Sequence, residues 1–264
     1  MSGQDRVIEV GGPYFDELVV GQVFDTAPTV TFTDGMAAVH QAILGARLRL
    51  PLDSTLSRVV AGDRGTIVSP ALVCDVAIGQ STVATHHVKA NLFYRGLRFL
   101  SLPRIGDSLT TVTTVTGLKE NSPKPGRRAT GLVALRMHST DQDGRTVLDF
   151  HRCAMLPLSD DPSDLRPRHS DDLEPPTSPA TAGERLGLDL DAFRTAVGGP
   201  HYSNDLEGVT YNSSADVVSS APELARLSLN IAATHHDERS NATGRLVYGG
   251  HTIGLAYAQA TRAL

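Results

Sequence analysis

One segment constrains the fold of this chain more than any other. From Ala71 to Thr82 it reads ALVCDVAIGQST, apolar on nearly every face at helical spacing. A helix of that kind has to be buried all round. Ser69-Pro70 marks its start, a cap residue followed by proline at the first helical position, where a missing N–H costs nothing. Four strand-like runs follow, at 90–102, 108–119, 128–140 and 146–158. Leu109, Val112 and Val115 sit among threonines, a composition suited to a pleated, half-buried surface. SPKPG at 122–126 and DQDG at 141–144 break the runs. Upstream, Val30 to Phe32 reads as a strand, and Asp34 as the cap of a helix over 35–49. A sheet wrapped around one central helix buries that helix on every side, so the first half is expected to be an antiparallel meander of the α+β class.

The second half begins this pattern again. Residues 65–82 can be laid on 244–261 without a gap, so that Gly65, Val68, Ala77, Gln80 and Thr82 meet Gly244, Val247, Ala256, Gln259 and Thr261. Self-similarity at the same place in each half points to a duplicated unit. Between the halves, 159–183 is rich in proline and acidic residues and poor in apolar ones, the composition of a solvated linker that is expected to cross the surface as a mobile segment with little regular structure. The expected domains are therefore 1–158, the linker 159–183, and 184–264. In the first half four strands follow the buried helix, whereas in the second the sequence ends within it. The second repeat thus reads as incomplete at its C-terminus, with further sequence or another chain completing the sheet.

Composition narrows the function. The 264 residues carry a net charge of −5, and 40% are hydrophobic. Lys and Arg are scattered singly, which argues against nucleic-acid binding. The N-terminus has no apolar leader and no stretch is long enough for a membrane span, so a cytoplasmic protein is the expectation. Cys74 and Cys153 have no metal-binding spacing and read as two buried thiols.

The densest polar cluster runs from Asn230 through His235, His236 and Asp237. It is followed by Arg245, Tyr248, Gly249, Gly250 and His251 at the head of the second apolar helix. In order and spacing this resembles the MaoC-like (R)-specific enoyl-CoA hydratases of the two-repeat, double-hotdog type. Their motif has an Asp, a His five residues later and a further acidic residue, then a short strand and a His-Gly at the start of the central helix. Asn230 stands at the Asp position, His235 at the catalytic His, Asp237 at the following acid, and Tyr248-Gly249 in place of His-Gly. The resemblance covers most of the chain apart from the linker, and the first half resembles the degenerate repeat.

The resemblance implies a double hotdog: an antiparallel sheet wrapped around a buried helix, twice. It implies hydration or dehydration of an acyl-CoA or acyl-carrier thioester, with no cofactor and no metal. His235 would be the acid/base and Asn230 would position water. Gly249 or Gly250 would offer backbone N–H groups at the helix start to the thioester oxygen. Asp237, Arg245, Tyr248 and His251 are the expected substrate-binding residues, and a homodimer is among the assemblies allowed. An amide at 230 cannot take up a proton. That leaves two other readings open, a non-catalytic acyl-thioester-binding protein or inactive partner subunit, and a hotdog thioesterase. His86, His87 and Asp34 read as structural and His236 as exposed. Ser69-Pro70 stands where the second half has its glycines, and proline removes a donor there. Arg64 and Arg245 are candidate partners for a phosphate.

Overall fold

The computed structural model describes residues 8, 10–160, 166–174, 186–199, 201, 206–241 and 243–263. Six strands form one antiparallel sheet: β1 (Val23–Phe24), β2 (Val30–Thr31), β3 (Ala90–Arg95), β4 (Ser108–Glu120), β5 (Thr130–Asp141) and β6 (Thr146–Pro157). The order is β1-β4-β5-β6-β3, with β2 also paired to β4. The long strands β4, β5 and β6 make the meander expected from their composition. Only the first run is cut short: β3 ends at Arg95, where Gly96 turns left-handed (φ +63°). The chain then returns to the sheet through a single bridge between Phe99 and Leu148.

The helices are α1 (Asp34–Leu44), α2 (Arg49–Leu52), α3 (Ser54–Ala61), α4 (Pro70–Gln80), α5 (Leu190–Ala196), α6 (Ala221–Leu227) and α7 (Gly249–Ala263). Helix α4 is the central one. Leu72, Val73, Val76 and Ala77 pack into one core with Leu109, Met137, Leu148 and Phe150 of the sheet. Burying this apolar face stabilises the fold by about 25 cal/mol per Å² of apolar surface removed from water. The cap of α1 differs from the expectation. Thr33, not Asp34, occupies the N-cap, and its hydroxyl accepts from the Met36 N–H. Ser69 holds the N-cap position of α4 without a side-chain bond. Cys74 and Cys153 are free thiols, and burial pushes Cys74 up to about 12.

Helix α7, which the sequence repeat lays on α4, is buried along one side only. Gly250, His251, Gly254, Leu255 and Ala258 are buried, whereas Thr252, Ile253, Ala256 and Ala260 are exposed. A Cβ at Gly254 would meet the Leu44 side chain, so α7 and α1 approach closely there. No strand is present in the second half among the described residues, and 239–241 and 243–248, where a short strand was expected before the helix, form turns and loop. No helix among the described residues is long and apolar enough to cross a membrane.

The linker departs from its expected irregularity where it is described. Ser170 bridges Lys119 on β4. The Glu120 N–H donates to the His169 carbonyl and the Asp171 N–H to the Leu118 carbonyl, each at 3.0 Å. Strand β4 overhangs β1 at this end, and its unpaired backbone groups need partners that composition alone does not reveal. The expected linker residues 161–165 and 175–183 lie outside the described residues.

Candidate active site

The motif residues are positioned by the end of α6 and the start of α7. Helix α6 stops at Leu227, and Leu229 adopts a left-handed conformation (φ +61°), the one non-glycine residue to do so among those described. The Asn230 N–H then closes on the Ala225 carbonyl at 2.9 Å. A left-handed leucine costs roughly 1–2 kcal/mol, and here it turns Asn230 inward, leaving it 3% exposed. Gly79 of α4 makes this turn possible, because a Cβ there would run into the backbone of Ser228. The chain is further anchored to the first half. The Ile231 N–H donates to the Thr82 hydroxyl and the Ala233 N–H to the His86 carbonyl, both at 3.0 Å. The site is therefore built at the seam of the two halves.

His235 ends a short 3₁₀ turn over Ala233–His235. Its Nδ1 lies 3.0 Å from the Leu246 carbonyl oxygen. A carbonyl only accepts, so Nδ1 carries the proton and Nε2 keeps the lone pair of the neutral ring. Burial holds His235 below its ordinary value of 6.5, opposed by the Leu246 bond and reinforced by His236. The ring is thus a neutral base near neutral pH.

His235, Asn230, Tyr248 and Gly249 line one cleft of about 250 Å³. Ile78, Val88, Leu246 and Ile253 supply its apolar walls. Larger clefts of about 620 and 800 Å³ lie elsewhere, and none of the motif residues lines them. In the small cleft, the Asn230 Oδ1 is already engaged by the Ala232 N–H at 3.0 Å. The amide can therefore offer donors to a bound water.

The two glycines separate. A Cβ on Gly249 would meet nothing within 4 Å, so this residue is open for close approach. A Cβ on Gly250 would meet Asp75 and the Tyr248 ring, so Gly250 serves the packing of α7 and does not line the cleft. Both sit in the first turn of α7, where N–H groups lack intrahelical partners and the helix dipole is positive.

Other motif residues are not brought to the cleft. Asp237 faces solvent and pairs with Arg239 at 3.2 Å. Arg245 pairs with Glu238 at 2.6 Å. His251 is 0% exposed, and neither ring nitrogen has a partner among the described residues. None of these three lines the cleft, where substrate contact was expected of them: two side chains find neighbouring charges, and the third faces the helix interface. His236 donates to the Asn230 carbonyl at 2.5 Å rather than facing water. Arg64 lies 3.8 Å from Asp107, away from the cleft. Tyr248 lines the cleft with its ring, 5.5 Å from that of His235, while its hydroxyl points into the core.

Two cationic residues outside the motif also face the cleft. Lys89 and Arg152, from the first half, both line it. No local sequence signal distinguishes Arg152 from the other arginines; its inward alternation within β6 is the one clue.

No model of a known protein family matches the chain. The mesaconyl-CoA hydratase of Cereibacter sphaeroides is 29% identical over 268 residues, 93% of this chain and 72% of that protein. The beta-methylmalyl-CoA dehydratase of Chloroflexus aurantiacus is 29% identical over 269 residues, 93% of this chain and 71% of that one. The crystal structure of a putative MaoC domain protein dehydratase from Chloroflexus aurantiacus superposes with a TM-score of 0.75 at 25% identity, over 96% of this chain and 74% of its own. The structure of RV0216 from Mycobacterium tuberculosis, described as a double hotdog, superposes with a TM-score of 0.89 at 58% identity, over 97% of this chain and 78% of its own. With the fold, the motif order and the relatives in agreement, the chain belongs to the double-hotdog, MaoC-like family of hydratases and dehydratases.

Proposed function

We propose that the protein adds water reversibly across the C2–C3 double bond of a trans-2-enoyl thioester, giving the (R)-3-hydroxyacyl product. The observation that carries this reading is the His235 ring, held by Leu246 so that its basic nitrogen is left for the cleft at the head of α7. A water donated to by the Asn230 amide would pass a proton to His235 Nε2 as its oxygen bonds to C3. The π electrons move onto the thioester oxygen as an enolate. The Gly249 N–H stabilises that charge at the positive end of the helix dipole. The enolate then collapses as C2 takes the proton back from His235, so that one water is added and nothing else is consumed. The carrier shared by the names of both curated relatives is CoA, and we take it as the carrier here.

A second reading is supported by Asn230 itself: no carboxylate lines the cleft among the described residues, so an acyl-thioester-binding protein without turnover would use the same site. Loss of enoyl absorbance across a panel of trans-2-enoyl-CoA thioesters separates the two. The expected outcome is turnover by the wild type, abolished in His235→Ala, with an (R)-configured product by chiral chromatography. Saturable binding with no turnover of any member would favour the binding protein. Release of free CoA in place of hydration would favour a thioesterase.

A further inference from the structure

The sequence repeat has a counterpart in space. In the register that lays 65–82 on 244–261, Leu246, Gly249, Ile78 and Thr82 of the catalytic cleft correspond to Ile67, Pro70, Tyr257 and Thr261. All four of these partners line another cleft, of about 800 Å³. The catalytic cleft lies between the head of α7 and the end of α4, and the other between the head of α4 and the end of α7. The two threonines are bonded alike. The Thr82 hydroxyl accepts from the Ile231 N–H at 3.0 Å and donates to the Gly79 carbonyl. The Thr261 hydroxyl accepts from the Arg47 N–H at 2.8 Å and donates to the Ala258 carbonyl. Gly79 and Ala258 are themselves partners in the repeat. The duplicated chain thus carries its cleft twice.

The second copy holds none of the catalytic groups. The same register, continued to 230, sets Pro51 opposite Asn230 and Leu56 opposite His235. Pro70 stands opposite Gly249, so no N–H is available there to a thioester oxygen. What remains is a binding surface. Leu48, Leu50, Phe99, Leu102 and Phe193 give it apolar walls, and no acidic residue lines it among the described residues. Arg47 and Arg49 stand at its edge, where it meets a cleft of about 620 Å³ that they also line. Both are exposed, and neither forms an ion pair among the described residues. The neighbouring charges are already engaged. Asp53 accepts from the Thr55 and Leu56 N–H groups, and Arg262 pairs with Asp216 at 2.9 Å.

We infer that this second cleft is a non-catalytic site for an amphiphile with a long apolar chain and an anionic head. The chain lies among the apolar walls and the head at Arg47 and Arg49. A concave, mostly apolar site with a few polar groups at one end is the form a small-molecule site takes. At about 800 Å³ against about 250 Å³, it admits a longer chain than the catalytic cleft. A free long-chain carboxylate and a long-chain acyl-CoA share this chemistry. The site does not depend on the hydration reading, because no step of that reaction uses it.

Displacement of cis-parinaric acid, a fluorescent long-chain fatty acid, reads the site without turnover. The competitors are dodecanoate, dodecanoyl-CoA and uncharged dodecanol. Saturable binding is expected, with the better anion displacing the probe at roughly tenfold lower concentration than dodecanol, the size of one charge-assisted bond. Which anion is the better one separates free acid from thioester, and either supports the site. Ala260→Trp fills the second cleft from an exposed position and should abolish binding, whereas Ile253→Trp fills the catalytic cleft and should leave it unchanged. Arg47→Gln combined with Arg49→Gln should remove the advantage of the anions. Thermal melting establishes that each variant is folded, and the wild-type comparison stands even where one is not. Absence of saturable binding overturns the inference, as does displacement by dodecanol equal to that by both anions. Binding lost in Ile253→Trp but kept in folded Ala260→Trp would put the chain in the catalytic cleft and overturn it too.

Discussion

The hydroxyl of Tyr248 donates to a carboxylate oxygen of Asp75 at 2.9 Å, joining the head of α7 to the middle of α4 through the core. The other carboxylate oxygen lies 3.2 Å from the ring of His40 on α1. Burial and the facing carboxylate push the Tyr248 phenol well above its ordinary 10.0, so it remains a donor. The residue beside the open Gly249 is thereby fixed by a bond between the two halves.

Tyr248→Phe removes that donor and leaves a buried acceptor short of a partner. The expected cost is about 1–3 kcal/mol in denaturant unfolding. Unchanged stability would mean that His40 alone satisfies Asp75.

The pH dependence follows from His235. Its neutral form is the base, and its value is held below 6.5. The fraction of neutral base grows as pH rises through that lowered value, so kcat/KM for hydration should climb there and be level above 6.5. A midpoint above 6.5 in the profile would show that the charged ring is the favoured form and would discard this assignment.

Asn230→Asp keeps an oxygen for the Ala232 N–H and adds a group able to exchange a proton. Hydration of an enoyl-CoA should be retained or raised, read as initial rate at saturating substrate. A loss of activity in a folded variant would show that the amide N–H, not proton exchange, is what position 230 contributes.

The two glycines at the head of α7 should respond oppositely to alanine. Gly250→Ala places a methyl group against Asp75 and the Tyr248 ring, an overpacking expected to destabilise by about 1–3 kcal/mol. Gly249→Ala has open space and should leave the unfolding midpoint near wild type while lowering hydration, because the methyl group narrows the approach to the backbone N–H. Equal destabilisation by both would contradict the division of roles.

What the sequence by itself determined is the part governed by local pattern. An all-apolar helix had to be wrapped, threonine-rich alternating runs could do the wrapping, and the order from Asn230 to Gly249 carried the family motif. The head of the repeat at Tyr248 and Gly249 was legible for the same reason. Only the tertiary structure decided which motif residues share a cleft. Asp237 and Arg245 stand within the motif, yet each lies beside an oppositely charged neighbour and turns to it. His251 is two residues from Gly249, but helical geometry rotates it into the core. Arg152 was legible only as an inward position of the alternation within β6, because it reaches the cleft from a strand of the other half. Spacing records which residues are near in sequence. A buried charge, an open glycine and an oriented imidazole are properties of what surrounds them, and those surroundings come from segments far apart in the chain.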